Sequence, residues 1–173
     1  MTVSADARCE IVAVALQKGG VGKTTTTINL GASLVAIGFR VLVIDIDQQA
    51  HSTKGLGIEL DDDDASMYEV LHPDRAMRVP LAKVIRPSEF GIDVAPGHLA
   101  LKELERTGLG SGGQLRLARQ LDDIGGYDFV LMDCPPALGE LTTAALAAAD
   151  YVLAVLKAGP DEVDGLMELG NAI

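Results

Sequence analysis

Three short apolar runs constrain this 173-residue chain more than any other feature: IVAVAL at residues 11–16, VLVI at 41–44 and FVLM at 129–132. Each run is continuous rather than alternating, the mark of a strand buried on both faces. The second and third run straight into a carboxylate, Asp45 and Asp133, and a fourth run at 151–156 follows Asp150. Between the first two lies a stretch, 24–39, in which Ile28, Leu30, Leu34, Val35 and Ile37 recur at roughly helical spacing before Gly38 stops it. Residues 114–124 and 140–149 also read as helices. Short buried strands alternating with helices predict an α/β fold whose mostly parallel sheet is covered on both faces.

The length suits about one domain of about 150 residues, large enough to bury roughly two-thirds of its unfolded surface without a disulfide or metal staple. Apolar residues make up 48% and charged residues 23%, a globular balance. Aromatics are only 3%, with no Trp, so the core is Val, Leu, Ile and Ala, and there is no aromatic platform for stacking bases or sugars. A net charge of −11 argues against wholesale electrostatic binding of DNA or an anionic membrane. Cys9 and Cys134 share no CxxC or Cys/His spacing, which argues against a disulfide framework or a zinc site and fits a reduced, cytoplasmic setting. The first ten residues are polar and lack the apolar centre of a signal peptide. No run approaches the ~18 apolar residues of a membrane span. Residues 1–9 are expected to form a disordered tail and 10–173 a single domain.

The middle, 46–110, is less regular. It holds an acidic run at 61–64, expected to be a solvated turn, then a helix at 65–71, a strand at 92–95 and a helix at 99–106. GLGSGG, 108–113, reads as a flexible connection. Arg75, Arg78, Lys83 and Arg86 form a small basic cluster, expected to be an ordinary solvated face.

Chemistry concentrates after the first strand, at Lys18, Gly19, Gly20, Val21, Gly22, Lys23, Thr24 and Thr25. A glycine-rich loop between a buried strand and a helix start turns successive backbone N–H groups into one concavity. The helix N-terminus adds partial positive charge, so such a loop cradles phosphate oxygens. Lys23 is placed to neutralise β- and γ-phosphates and Thr24 to ligate Mg²⁺; Thr25 is placed to touch an α-phosphate. The strict G-x-x-x-x-G-K-[ST] pattern fails at its first glycine, where Gln17 stands, and a second lysine, Lys18, appears five residues before Lys23. Downstream, Asp133 closes an apolar strand, where an aspartate commonly holds Mg²⁺ through a water. Cys134, Pro135 and Pro136 then turn the chain away, a position for a γ-phosphate sensor. Asp45 and Asp47 sit at the C-terminal edge of the second strand, facing the crevice where ligands bind in open α/β sheets. Spacing alone allows one to support Mg²⁺ and the other to orient an attacking water.

As a set, residues 18–25, VLVIDIDQQAHST (41–53) and FVLMDCPPALGELTTAALAAADYVLAV (129–155) resemble the deviant Walker-A ATPases of the ParA/MinD group, most of all the ParA (Soj-type) partition ATPases. IDVAPGHLALKELE (92–105) is similar to the middle of that family. The resemblance implies a three-layer P-loop NTPase fold with a doubly wound sheet, ATP and Mg²⁺ as cofactors, and weak, partner-stimulated ATP hydrolysis. It implies that Lys18 reaches across an ATP-sandwiched homodimer to the other copy's phosphates, as an arginine finger does when supplied in trans. Asp47 matches the aspartate needed for hydrolysis, Asp45 its neighbour close to Mg²⁺, and Asp133 the Walker-B aspartate. The implied cycle is ATP-driven dimerisation, non-specific DNA binding, and release when a centromere-binding, ParB-like partner triggers hydrolysis, so that plasmids or chromosomes are positioned on the nucleoid.

Two departures stand out. The family's D-P-Q reads Asp47-Gln48-Gln49 here, which predicts a less rigid loop. The chain also ends at Ile173, within the helix expected after the fourth strand, so the family's later basic DNA-binding surface is expected to be missing. A nucleotide-controlled interaction module without efficient hydrolysis is the alternative. A MinD-like switch that docks on membrane through a C-terminal amphipathic helix finds no basic or strongly amphipathic segment after Asp161. An iron–sulfur reductase of related architecture would need paired cluster cysteines.

Overall fold

The computed structural model describes residues 8–61, 63–157 and 162–172. Most of the tail expected at 1–9 lies outside them, as does residue 62 of the acidic run; Arg8, which is described, donates to Asp150 at 2.6 Å.

The chain alternates strand and helix as the apolar runs require. Strand β1 (Glu10–Ala15) leads through the glycine loop into helix α1 (Lys23–Ala36), and β2 (Val41–Asp45) follows. The irregular middle contains short helices α2 (His51–Gly55), α3 (Met67–Leu71) and α4 (Leu81–Val84), then strands β3 (Arg86–Pro87) and β4 (Asp93–Ala95). Helices α5 (Leu101–Thr107) and α6 (Arg116–Asp122) lead to β5 (Phe129–Asp133), followed by α7 (Glu140–Ala148), β6 (Tyr151–Ala154) and α8 (Glu162–Ala172). The sheet order is β3-β4-β2-β5-β1-β6. All pairings are parallel except β3 with β4, an antiparallel edge too short to leave a periodic signal in the sequence.

Period-two alternation sorts the strands between two cores. Val41 and Val43 of β2 and Leu131 of β5 pack with Ile28, Leu34 and Val35 of α1. Leu42, Ile44, Val130 and Met132 face the other way, against Leu71 of α3, Leu104 of α5, Leu117 of α6 and Leu141 of α7. The result is three layers, helix–sheet–helix. Leu169 of α8 is buried in the second core. Among the described residues no helix is long and apolar enough to cross a membrane.

Several expectations shift by a residue or two. The strand expected at 151–156 stops at Ala154, and the helix expected at 65–71 begins at Met67, where Ser66 and Glu69 form a capping box. The helix expected at 114–124 is a 3-10 turn (Gly113–Leu115) continuing into α6. The GLGSGG stretch is anchored rather than open: Leu109 is fully buried and its carbonyl accepts from Arg116. In the basic cluster, Arg86 pairs with Asp64 of the acidic run at 2.6 Å and Arg78 donates to the carbonyls of His72 and Pro73. Those two are therefore structural ties, not free surface charges.

Candidate nucleotide-phosphate site

Parallel strands carry their C-terminal ends to one edge of the sheet, and here β1, β2 and β5 deliver the loop at 17–22, Asp45 and Asp133 to that edge. In-register pairing places Asp45 opposite Asp133 and Val14 opposite Asp133. The three sequence signals, far apart in the chain, converge because β5 lies between β1 and β2.

Gly22 caps α1 with φ 107°, a left-handed conformation that favours glycine. Among the described residues no side chain caps this helix, and no acidic residue stands in its first turn. The first N–H groups of a 14-residue helix are thus left for an external anion. Val21 anchors the loop from below, 8% exposed within the larger core. The Lys23 ammonium donates to the Lys18 carbonyl at 2.9 Å, which holds it over the loop. Burial pushes its pKa down, partly offset by the charges of Asp133 and Asp47. Gly19, Gly20, Gly22, Lys23, Thr24, Thr25, Asp47, Gln48, Gln49, His51 and Pro136 line a cavity of about 470 Å³. Lys18, the residue before Gly19, is exposed.

Asp133 is fully buried. Its Oδ2 accepts from Thr24 Oγ1 at 2.7 Å and from Ser52 Oγ at 2.5 Å, whereas its Oδ1 is buried without a hydrogen-bond partner among the described residues. An orphaned carboxylate oxygen beside two hydroxyls is a set of hard oxygen donors and fits Mg²⁺, directly or through water. Ser52 was not singled out by sequence; it lies 81 residues from Asp133, and only the fold joins them.

Asp45 stands behind the cavity rather than in its wall. Its Oδ1 accepts from Asp47 N at 3.1 Å, and its Oδ2 from Thr53 N at 2.8 Å and Thr53 Oγ1 at 2.7 Å. Thr53 Oγ1 in turn accepts from Gly97 N at 2.9 Å. A Cβ at position 97 would lie 2.9 Å from Asp45 Cγ and from its carbonyl oxygen, so only glycine lets the loop after β4 close on Asp45. Asp47, which does face the cavity, accepts from Gln49 N at 2.9 Å, and its carbonyl accepts from Ala50 N at 2.9 Å. The loop expected to be less rigid without its proline is therefore closed by two hydrogen bonds. Ala50 completes it at φ 51°, the lone non-glycine residue at positive φ among the described residues; such a conformation costs about 1–2 kcal/mol.

Burial pushes the Asp45 carboxyl up to about 7, against the pull of the two Thr53 hydrogen bonds, and the charge of Asp133 adds to the rise. Burial raises Asp133 too, while Ser52 and Thr24 hold it down. Both groups bind protons more tightly folded than unfolded. Their contribution to stability is complete below the unfolded carboxylate pKa and is lost as pH rises through the folded value. The ligand-free protein is expected to lose about 2 kcal/mol from Asp45 between about pH 5.5 and pH 8, or about 4–8 °C in Tm, on thermal unfolding. A Tm that rises across that interval contradicts the buried, proton-binding Asp45. Cys134, fully buried beside Asp133, has its thiol pKa pushed far up by burial and then by Asp133. It stays protonated, unlike a cluster or metal ligand.

Fold and site together define a P-loop domain whose loop carries two lysines, Lys18 and Lys23. The family described as "AAA domain" matches residues 9–173. The chain belongs to that family, in its ParA/Soj-type group. It is 40% identical over 165 residues to the sporulation initiation inhibitor protein Soj of Bacillus subtilis, covering 95% of this chain and 64% of that protein. It is also 40% identical over 167 residues to the chromosome partitioning protein ParA of Myxococcus xanthus, covering 94% and 57%. A Mycobacterium smegmatis structure named cobyrinic acid a,c-diamide synthase, with bound ADP and magnesium, superposes with TM-score 0.87 at 34% identity, covering 96% of this chain and 67% of that one. The chain thus spans about three-fifths of the curated relatives' length.

Proposed function

We propose that this chain is the phosphate-handling part of a ParA-like ATPase that pairs around Mg-ATP and takes part in DNA partition, leaving its DNA-bound state on hydrolysis. The observation that carries the reading is the convergence, at one sheet edge, of an uncapped helix N-terminus, the Lys23 ammonium and a Thr24–Asp133–Ser52 oxygen cluster. The mycobacterial neighbour with ADP and magnesium supports the ligand, and the Soj and ParA relatives support the partition role.

The N–H groups of residues 19–25 bind β- and γ-phosphate oxygens, and Lys23 neutralises their charge. Thr24 and Asp133 would hold Mg²⁺, which would supply positive charge against the charge developing on the phosphates. Asp45, with both oxygens engaged, serves that centre from behind by fixing the Asp47 turn. Asp47, at the cavity wall, orients the attacking water. Lys18 acts on the other copy's phosphates. Partners of the same reading are a second copy, a centromere-binding ParB-like protein and non-specific DNA, in the bacterial cytoplasm and on the nucleoid.

Asp47→Ala separates hydrolysis from binding. The variant is expected to bind ATP within a few-fold of wild type, release phosphate about 100-fold more slowly or worse, and remain as an ATP-bound pair by light scattering. Wild-type phosphate release by the variant, or a monomer in excess ATP, overturns the role of Asp47.

A further inference from the structure

Two features singled out in the sequence lie outside the nucleotide site: the GLGSGG segment at 108–113 and the arginine at position 78. The structure joins both to α6. Arg78, Arg116 and Arg119 converge on a cavity of about 320 Å³ whose wall also includes Ser111, Gly112 and Gln120. Among the described residues no acidic side chain lines that wall, in a chain of net charge −11, and none of its lining residues also lines the nucleotide cavity.

Arg116 is the central observation. It is only 8% exposed, and its fork donates to the carbonyls of Leu71 at 2.6 Å and Leu109 at 3.1 Å. Arg78 is fixed in the same manner by the carbonyls of His72 and Pro73. Arg8, Arg40 and Arg86 each pair with an aspartate, but among the described residues no carboxylate pairs with Arg78, Arg116 or Arg119. Burial, and after it the like charges of Arg78 and Arg119, push the Arg116 guanidinium below its usual pKa. A buried cation held by carbonyls alone, repelled by two neighbours, is costly unless an anion completes it. The N–H groups of Ser111 and Gly112 also find no acceptor among the described residues, and Gln120, whose Oε1 is taken by Leu81 N, keeps its amide N–H₂ as a donor.

We propose that this cavity binds a small phosphate-bearing anion, a phosphomonoester or diphosphate group, at a site distinct from the nucleotide loop. The Arg119 fork matches phosphate oxygens bidentately, and the N–H groups that the carbonyls leave over on Arg78 and Arg116 can each add a bond. A dianion with several acceptor oxygens suits three convergent guanidiniums better than a single carboxylate does. The volume lies at the low end for small-molecule sites, which favours a compact headgroup.

The test is isothermal titration of pyrophosphate and orthophosphate into the full chain carrying Lys23→Ala, so that the nucleotide loop does not contribute. One pyrophosphate per chain is expected to bind, and adding Arg119→Gln, a change at an exposed position, is expected to weaken it about tenfold or more. ATP affinity of the single variant Arg119→Gln is expected to match wild type. Equal pyrophosphate binding with and without Arg119, loss of all binding with Lys23→Ala alone, or Arg119-dependent binding of a DNA duplex but of neither small anion would each overturn the proposal.

Discussion

Lys23→Ala is expected to lose ATP binding without losing the fold. The helix keeps its start, because what Thr27 takes from residue 23 is the backbone carbonyl, at 3.1 Å, and the cap belongs to Gly22. What disappears is the Lys23 ammonium, at 2.9 Å from the Lys18 carbonyl and next to the buried carboxylates Asp133 and Asp47. Hydrogen bonds to charged groups are worth about 1.5–3 kcal/mol each, and the lysine serves two phosphates. Affinity should therefore fall about 100-fold or more, with the far-ultraviolet circular dichroism unchanged. Titration showing wild-type ATP affinity in the folded variant sinks the phosphate-loop reading.

Lys18→Ala is expected to give the opposite pattern. The residue 18 carbonyl, which accepts from Lys23, is retained in alanine, and residue 18 is exposed. Nucleotide binding should stay within a few-fold of wild type. Turnover should drop steeply, because a cation supplied in trans to a phosphoryl-transfer site is worth about 10³–10⁵ in rate, or about 4–7 kcal/mol. Mixing experiments sharpen the point: a pair containing one Lys18→Ala copy and one Lys23→Ala copy retains one competent site only if Lys18 acts across the pair. Its lysine then comes from the Lys23→Ala copy and serves the intact loop of the other. Unchanged turnover in Lys18→Ala, or a mixed pair as dead as its parents, removes the trans role.

The sequence made the central sheet legible because its strands are buried on both faces. VLVI and FVLM leave no polar position for a helix or a half-exposed strand, and the structure splits them between two cores at alternate residues. The loop at 18–25 was legible because a buried strand, glycines and a helix start follow one another without a gap. Edge strand β3 was not legible, since two residues carry no period and Arg86 enters through its pair with Asp64. Ser52, Thr53 and Gly97 were missed for another reason. Their contributions are a hydroxyl to Asp133, a hydroxyl and an N–H to Asp45, and an absent Cβ beside Asp45, all contacts set by β2, β4 and β5 lying side by side. The arginines of α6 were hidden likewise, because Arg116 reads as a surface residue until α3 and the 108–113 segment close over it.

The most direct test of the central claim, that the loop reads phosphates and a divalent cation, is calorimetric titration of the wild-type chain with ATP, ADP and AMP, with and without Mg²⁺. ATP and ADP are expected to bind at one per chain. AMP, which leaves Lys23 without its partners, is expected to be weaker by about 100-fold, and removing Mg²⁺ should weaken ATP but not AMP. Equal affinity for AMP and ATP, or indifference to Mg²⁺, would contradict it.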